Sequence, residues 1–136
     1  MTRSELEEYI FDTYGVRPDY PWDGTPSSEV FRHGDNKKWF ALIMDVPKSS
    51  LGIPGGGTLC AVNLKCGPIV GGSLCGQNGF FPAYHMNKEY WITAALDGSV
   101  SESDIKMLLD ISFCETAKRK AVKKPSRNER RPDRFL

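Results

Sequence analysis

The sequence predicts an α+β fold: one antiparallel sheet of about five strands, with an N-terminal and a C-terminal helix packed on one face. Three observations carry this. Apolar residues recur at helical intervals near the two ends of the sequence, around Leu6 to Tyr14 and Ile105 to Phe113. Between them lie runs rich in β-branched and aromatic residues. Short polar or glycine-bearing turns join the first of these runs, which favours hairpins over the long crossovers of a parallel sheet.

Taken in order, Thr2 and Ser4 are candidate N-caps, Glu5 can close a capping box on Thr2, and Leu6, Tyr9, Ile10 and Tyr14 precede Gly15. A first helix over 4–14 follows. Val16 to Ser28 contains Pro18, Pro21, Pro26 and Gly24, so it should run extended over the surface, with Tyr20 and Trp22 held against the domain. Glu29 to His33 and Lys37 to Val46 read as two strands, with Gly34, Asp35 and Asn36 supplying the turn of a hairpin whose tip is basic. Pro47 to Gly57 is loop by composition. Its glycine run precedes a strand, whereas a phosphate-cradling loop leads into a helix.

Thr58 to Lys65 alternates, with Cys60, Val62 and Leu64 on one face and Ala61, Asn63 and Lys65 on the other. It completes a three-stranded meander. Gly67 and Pro68 open a short helix carrying Ile69, Val70 and Leu74, which Gly71, Gly72 and Gly76 each weaken by up to ~1 kcal/mol relative to alanine. Phe80 to Trp91 passes a loop around Pro82 and leads into further strand from Lys88 to Leu96, ended by Asp97-Gly98. Ser101 caps the last helix, with Asp104 three positions on, Val100 as a staple and a stripe of Ile105, Leu108, Leu109 and Phe113. That helix is predicted to reach Lys120. Tyr84, Trp91, Phe40 and Leu109 are expected to share one core.

At 136 residues, 40% hydrophobic and 26% charged, the sequence suits one globular domain, read as 1–124, followed by a basic tail over 125–136. No apolar run approaches the ~20 residues of a membrane helix. The polar start Met1 to Glu8 lacks the apolar stretch of an export signal, so no membrane association and a cytoplasmic location are expected. Cys60, Cys66, Cys75 and Cys114 form no CxxC pair, and Cys60 and Cys114 sit in apolar company. Reduced thiols are expected, with neither metal nor other cofactor. The net charge of +1 hides an asymmetry: residues 118–136 hold nine Lys and Arg against two acids, a net +7, and residues 1–117 are net −6.

Nucleophilic catalysis would need a serine or cysteine beside a histidine, and the only histidines are His33 and His85. Nothing local marks either for acid–base work, so no enzyme is expected. The stretch Tyr84-His85-Met86-Asn87-Lys88-Glu89-Tyr90-Trp91 is richer. It combines stacking aromatics, an amide and a cation, the groups of a binding surface, and the same residues also suit a tight structural loop.

The order Asp19-Tyr20-Pro21-Trp22, Val30-Phe31 to Phe40-Ala41-Leu42, Asn63-Leu64-Lys65-Cys66, Tyr84-His85-Met86-Asn87-Lys88 with Trp91, and Leu96-Asp97-Gly98-Ser99-Val100 resembles the MmcQ/YjbR family over about residues 3–122. The resemblance implies a fold similar to the bacterial frataxin homologue and a double-wing DNA-binding motif. The chain departs from the family pattern at Gly67, where an acidic residue is usual, and in the glycine content of the helix after it. Cations suited to phosphate contact are Lys37 and Lys38 at the first hairpin, Lys65 and Lys88 in the motifs, and Lys118, Arg119, Lys120, Lys123, Lys124 and Arg127 toward the end.

The expected function is that of a small non-enzymatic accessory or regulatory protein, a monomer or weak oligomer, that meets DNA through its hairpin tips and C-terminal end. The alternative is a protein-interaction module with no nucleic-acid partner. A third reading takes Glu5, Glu8 and Asp12, at i, i+3 and i+7, as a weak cation-binding ridge.

Overall fold

The computed structural model describes residues 1–118, and capping chemistry fixes its first element. The Thr2 hydroxyl accepts from the Glu5 N–H at 3.2 Å and the Glu5 carboxylate accepts from the Thr2 N–H at 2.8 Å, starting α1 (Arg3–Tyr14). Gly15 ends it at φ 70°, a left-handed conformation that costs glycine no Cβ clash, with its N–H donating to the Phe11 carbonyl. The Pro-rich segment that follows makes one isolated bridge, Asp19 to Val30.

Five strands then form one antiparallel sheet: β1 (Glu29–Arg32), β2 (Trp39–Pro47), β3 (Thr58–Lys65), β4 (Phe80–Pro82) and β5 (Trp91–Ala95), in the order β1-β2-β3-β5-β4. A 3-10 turn, Lys48–Leu51, interrupts the expected loop after β2. Two helices complete the order, α2 (Gly67–Leu74) and α3 (Glu102–Thr116), and the Ser101 hydroxyl caps the latter by accepting from the Asp104 N–H at 3.2 Å. The α+β expectation holds.

One side of the sheet packs Phe31, Phe40, Ile43, Val62, Leu64 and Ile92 against Leu6 and Ile10 of α1 and Ile105, Leu108 and Leu109 of α3. The other side carries Val30, Leu42, Met44, Val46 and Ala61, with Trp22, Trp39, Tyr84 and Met86 half-buried on them. A register irregularity sorts Trp39 from Phe40. Phe31 pairs with Ala41 and Arg32 with Trp39, leaving Phe40 unopposed, so Phe40 enters the helix-side core and Trp39 stays on the open face.

Several boundaries differ from expectation. Strand β2 begins at Trp39 because Lys37 sits at φ 63° in a turn closed by the His33 N–H to the Lys38 carbonyl. Pro82 is the last residue of β4, an edge strand, where a missing N–H costs no ladder bond. Strand β5 begins at Trp91 because residues 83–90 are turn. Helix α3 stops at Thr116, with Ala117 extended, short of Lys120. The glycine-rich α2 does form: Val70 and Leu74 pack on the core, and a Cβ at Gly71 would meet Cys66 Sγ at 3.4 Å.

The shared core expected for four residues divides. Phe40 and Leu109 lie in the helix-side core, Tyr84 packs on the opposite face, and Trp91 is only half-buried. All four cysteines are unpaired, but Cys75 and Cys114 are exposed, which corrects the apolar setting read for Cys114. Burial pushes the Cys60 and Cys66 thiols up, holding them protonated. Tyr20 is largely exposed, and its hydroxyl donates to Glu29. No helix among the described residues is long and apolar enough to cross a membrane.

Candidate nucleic-acid interface

Topology gathers the cations that the sequence singled out. The tip between β1 and β2 carries Lys37 and Lys38. Strand β3 runs antiparallel to β2, so its last residue, Lys65, ends beside the start of β2. Lys65 pairs with Trp91, the first residue of β5, and Lys88 lies in the turn just before it. Helix α3 ends at the same place. Its Ser112 hydroxyl donates to the Phe40 carbonyl at 2.6 Å and accepts from the Lys65 N–H at 2.9 Å, bridging β2 and β3 where they finish. One turn on, the Thr116 hydroxyl donates to the Ser112 carbonyl at 2.7 Å and so accepts from His33 Nε2 at 2.8 Å. Asn36 Nδ2 donates to the Thr116 carbonyl at 2.9 Å, tying the hairpin tip to the helix.

Lys37, Lys38, Lys65, Lys88 and Lys118 therefore share one end of the sheet, and none forms an ion pair among the described residues. Asp35, Glu89 and Glu115 are the acids in the same segments, leaving that end net positive on an acidic body. Arg119, Lys120, Lys123, Lys124 and Arg127 lie outside the described residues. His33 is buried between the Phe40 and Phe113 rings and serves the fold.

Beside this end, on the open face of the sheet, lies a cleft of about 420 Å³ whose lining includes Trp22, Trp39, Leu42, Met44, Tyr84 and His85. Trp22 meets Trp39 edge to face at 5.7 Å, and Tyr84 stacks on His85 at 3.9 Å with their planes 15° apart. His85 holds φ 57°, so a tight left-handed turn presents it. The Tyr84 loop is pinned from below. Asn63, wholly buried on β3, donates from Nδ2 to the Tyr84 carbonyl at 2.9 Å, the Thr93 hydroxyl donates to Asn63 Oδ1, and the Tyr84 N–H donates to the Thr93 hydroxyl at 2.9 Å. Asn87 closes the other end, its side chain accepting from the Glu89 N–H at 2.8 Å and its carbonyl from the Trp91 N–H at 3.0 Å.

The family model described as YjbR matches residues 4–115. The chain belongs to the YjbR family. Among its relatives, YyaQ of Bacillus subtilis is 39% identical over 113 residues, spanning 83% of this chain and 96% of that protein. YjbR of Escherichia coli K12 is 30% identical over 122 residues, spanning 83% and 85%. A crystal structure of a protein from Pseudomonas syringae superimposes with a TM-score of 0.84 at 43% identity, covering 86% of this chain and all of that one. A Deinococcus radiodurans structure at 24% identity and TM-score 0.66, covering 90% and 83%, shares the fold.

The YjbR motifs now have a physical reading. The asparagine of Asn63-Leu64-Lys65-Cys66 holds the loop of Tyr84-His85-Met86-Asn87-Lys88, so two distant motifs form one hydrogen-bonded unit. Asn63→Ala is expected to cost about 1–3 kcal/mol by removing the donor to the Tyr84 carbonyl and the acceptor of the buried Thr93 hydroxyl. Denaturant unfolding measures the loss, and hydrogen exchange should show the Tyr84 amide losing protection. An unchanged amide would refute the latch.

A second cluster escaped the sequence reading. Buried Glu29 of β1 accepts from the Tyr20 hydroxyl at 2.7 Å and from Arg3 at 3.1 Å, and Arg3 lies 3.5 Å from Glu7. A hydrogen bond to Glu29, partial burial and the Glu29 charge together push the Glu7 carboxyl up to about 7, with Arg3 opposing. Unfolded, Glu7 ionises near 4.5; folded, it keeps its proton to about 7, so the fold binds more protons across that window. Thermal stability should therefore fall as pH rises from about 5 to 8, and Glu7→Gln should flatten the dependence. A variant with the wild-type profile would dismiss the pair. On the same helix, Glu5 is engaged in the cap, and no three His, Cys, Asp or Glu side chains converge as a metal site among the described residues.

Proposed function

We propose that this YjbR chain is a non-enzymatic accessory protein that binds nucleic acid through the basic end of its sheet. The single observation that carries the reading is the convergence of Lys37, Lys38, Lys65, Lys88 and Lys118 on that end, argued from strand pairing and from the Ser112 and Thr116 bonds. Cations without an ion pair among the described residues suit phosphate oxygens, which give affinity without sequence choice. The β1–β2 tip and the 83–90 turn would be the two projections of a double wing, and the sequence carries a further eight Lys and Arg over 119–136. The cytoplasm suits such a role. Of the side chains that could serve acid–base or nucleophilic chemistry, His33 is bonded to Thr116, and Cys60 and Cys66 are held as thiols by burial.

Fluorescence anisotropy with labelled DNA at low salt, where electrostatic association is strongest, tests the reading. Binding that weakens steeply with salt supports it. Absence of binding there would overturn it and turn attention to basic protein partners for the acidic body.

A further inference from the structure

We propose that the aromatic cleft on the open face takes an unpaired nucleobase, so that the preferred partner is single-stranded. The inference rests on the phosphate-binding reading above and adds what the bases do.

The walls offer planar surfaces at two places, the Tyr84–His85 stack and the Trp22–Trp39 pair, above a floor of Leu42 and Met44. A volume of about 420 Å³ lies in the range of small-ligand sites. Ser28 also lines the cleft. It is only 7% exposed, and its hydroxyl makes no side-chain hydrogen bond among the described residues, although buried hydroxyls are normally paired. A ligand with a hydrogen-bonding edge as well as a π-face satisfies both features.

Charge selects the class of ligand. Lys38 adjoins Trp39, Lys88 follows Met86 by two residues, and the Arg32 guanidinium lies 5.9 Å from the Trp39 ring centroid. Cations thus border the aromatic cleft at the basic end, the arrangement that suits a phosphate attached to a stacked base. In a duplex, neighbouring pairs cover both faces of every base, so these walls engage a base only after it leaves the stack. A single strand presents its bases without that cost.

The test compares, by anisotropy at low salt, a labelled thymidine strand of about twelve nucleotides, an abasic strand of equal length and a matched duplex. The base-bearing strand should bind roughly tenfold tighter than the abasic one and tighter than the duplex. Tyr84→Leu keeps an apolar side chain on the open-face cluster and removes the π-face. His85→Gly suits the positive φ, so neither change should unfold the protein. Each should weaken the thymidine strand several-fold and leave the abasic strand unaffected, with thermal unfolding confirming the fold. Equal binding of the abasic strand, or a duplex bound as tightly, would overturn the base site while leaving phosphate binding intact. Failure of all three probes to bind would overturn both.

Discussion

Phe40→Ala is expected to lower stability by about 3–5 kcal/mol, the cost of deleting a fully buried aromatic ring. The ring is the hub of the helix-side core at its basic end. It lies edge to face with Tyr14 of α1 at 5.8 Å and with Phe113 of α3 at 4.9 Å, and 5.2 Å from His33. Its loss opens a cavity between both long helices and the sheet. It also loosens the packing around the Ser112 and Thr116 bonds that fix the hairpin tip to α3. For a chain of this length the melting temperature should fall by about 10–20 °C. Trp91→Ala, at a half-buried position, should cost clearly less. Calorimetry on both variants decides the matter: equal losses would show that the two residues belong to one core, against the packing described above.

Raising salt fourfold should weaken nucleic-acid binding by roughly 10²-fold or more. Each phosphate neutralised steepens the fall of log affinity with log salt by ~0.9 on duplex and ~0.7 on a single strand, and four or five contacts suffice. Replacing Lys37, Lys38 and Lys88 together by glutamine should flatten that slope by about 2–3 if all three reach phosphates. These side chains are exposed and outside the core, so unfolding temperature should hardly change. Replacing Arg127, Arg130, Arg131 and Arg134 in the full chain gives the contribution of the C-terminal charges separately. A triple variant with the wild-type slope would remove the sheet end from the interface.

Much of the architecture was legible because it rests on short-range chemistry. Thr2 with Glu5, Gly15, and Ser101 with Asp104 are signals that a backbone reads within one turn, and all three act as expected. The alternation of Thr58 to Lys65 correctly separated Val62 and Leu64 from Asn63, because strand periodicity is local. The lysines were legible as residue types. Glu29, by contrast, looked like an ordinary strand residue, and only the approach of α1 and the Tyr20 segment gives it Arg3, Glu7 and the Tyr20 hydroxyl as neighbours.

By itself, then, the sequence determined the fold class, the order of the elements, the family and the excess of positive charge toward its end. Tertiary structure alone decided which side chains meet. The irregularity at Phe40 shifts the side-chain alternation by one residue, sending Phe40 to the helices and leaving Trp39 to wall the cleft, and no local pattern announces such a shift. Strand order brought Lys65 and Lys88 to the Lys37–Lys38 tip, and Asn63 to the Tyr84 loop, because hydrogen bonding between strands is indifferent to separation along the chain.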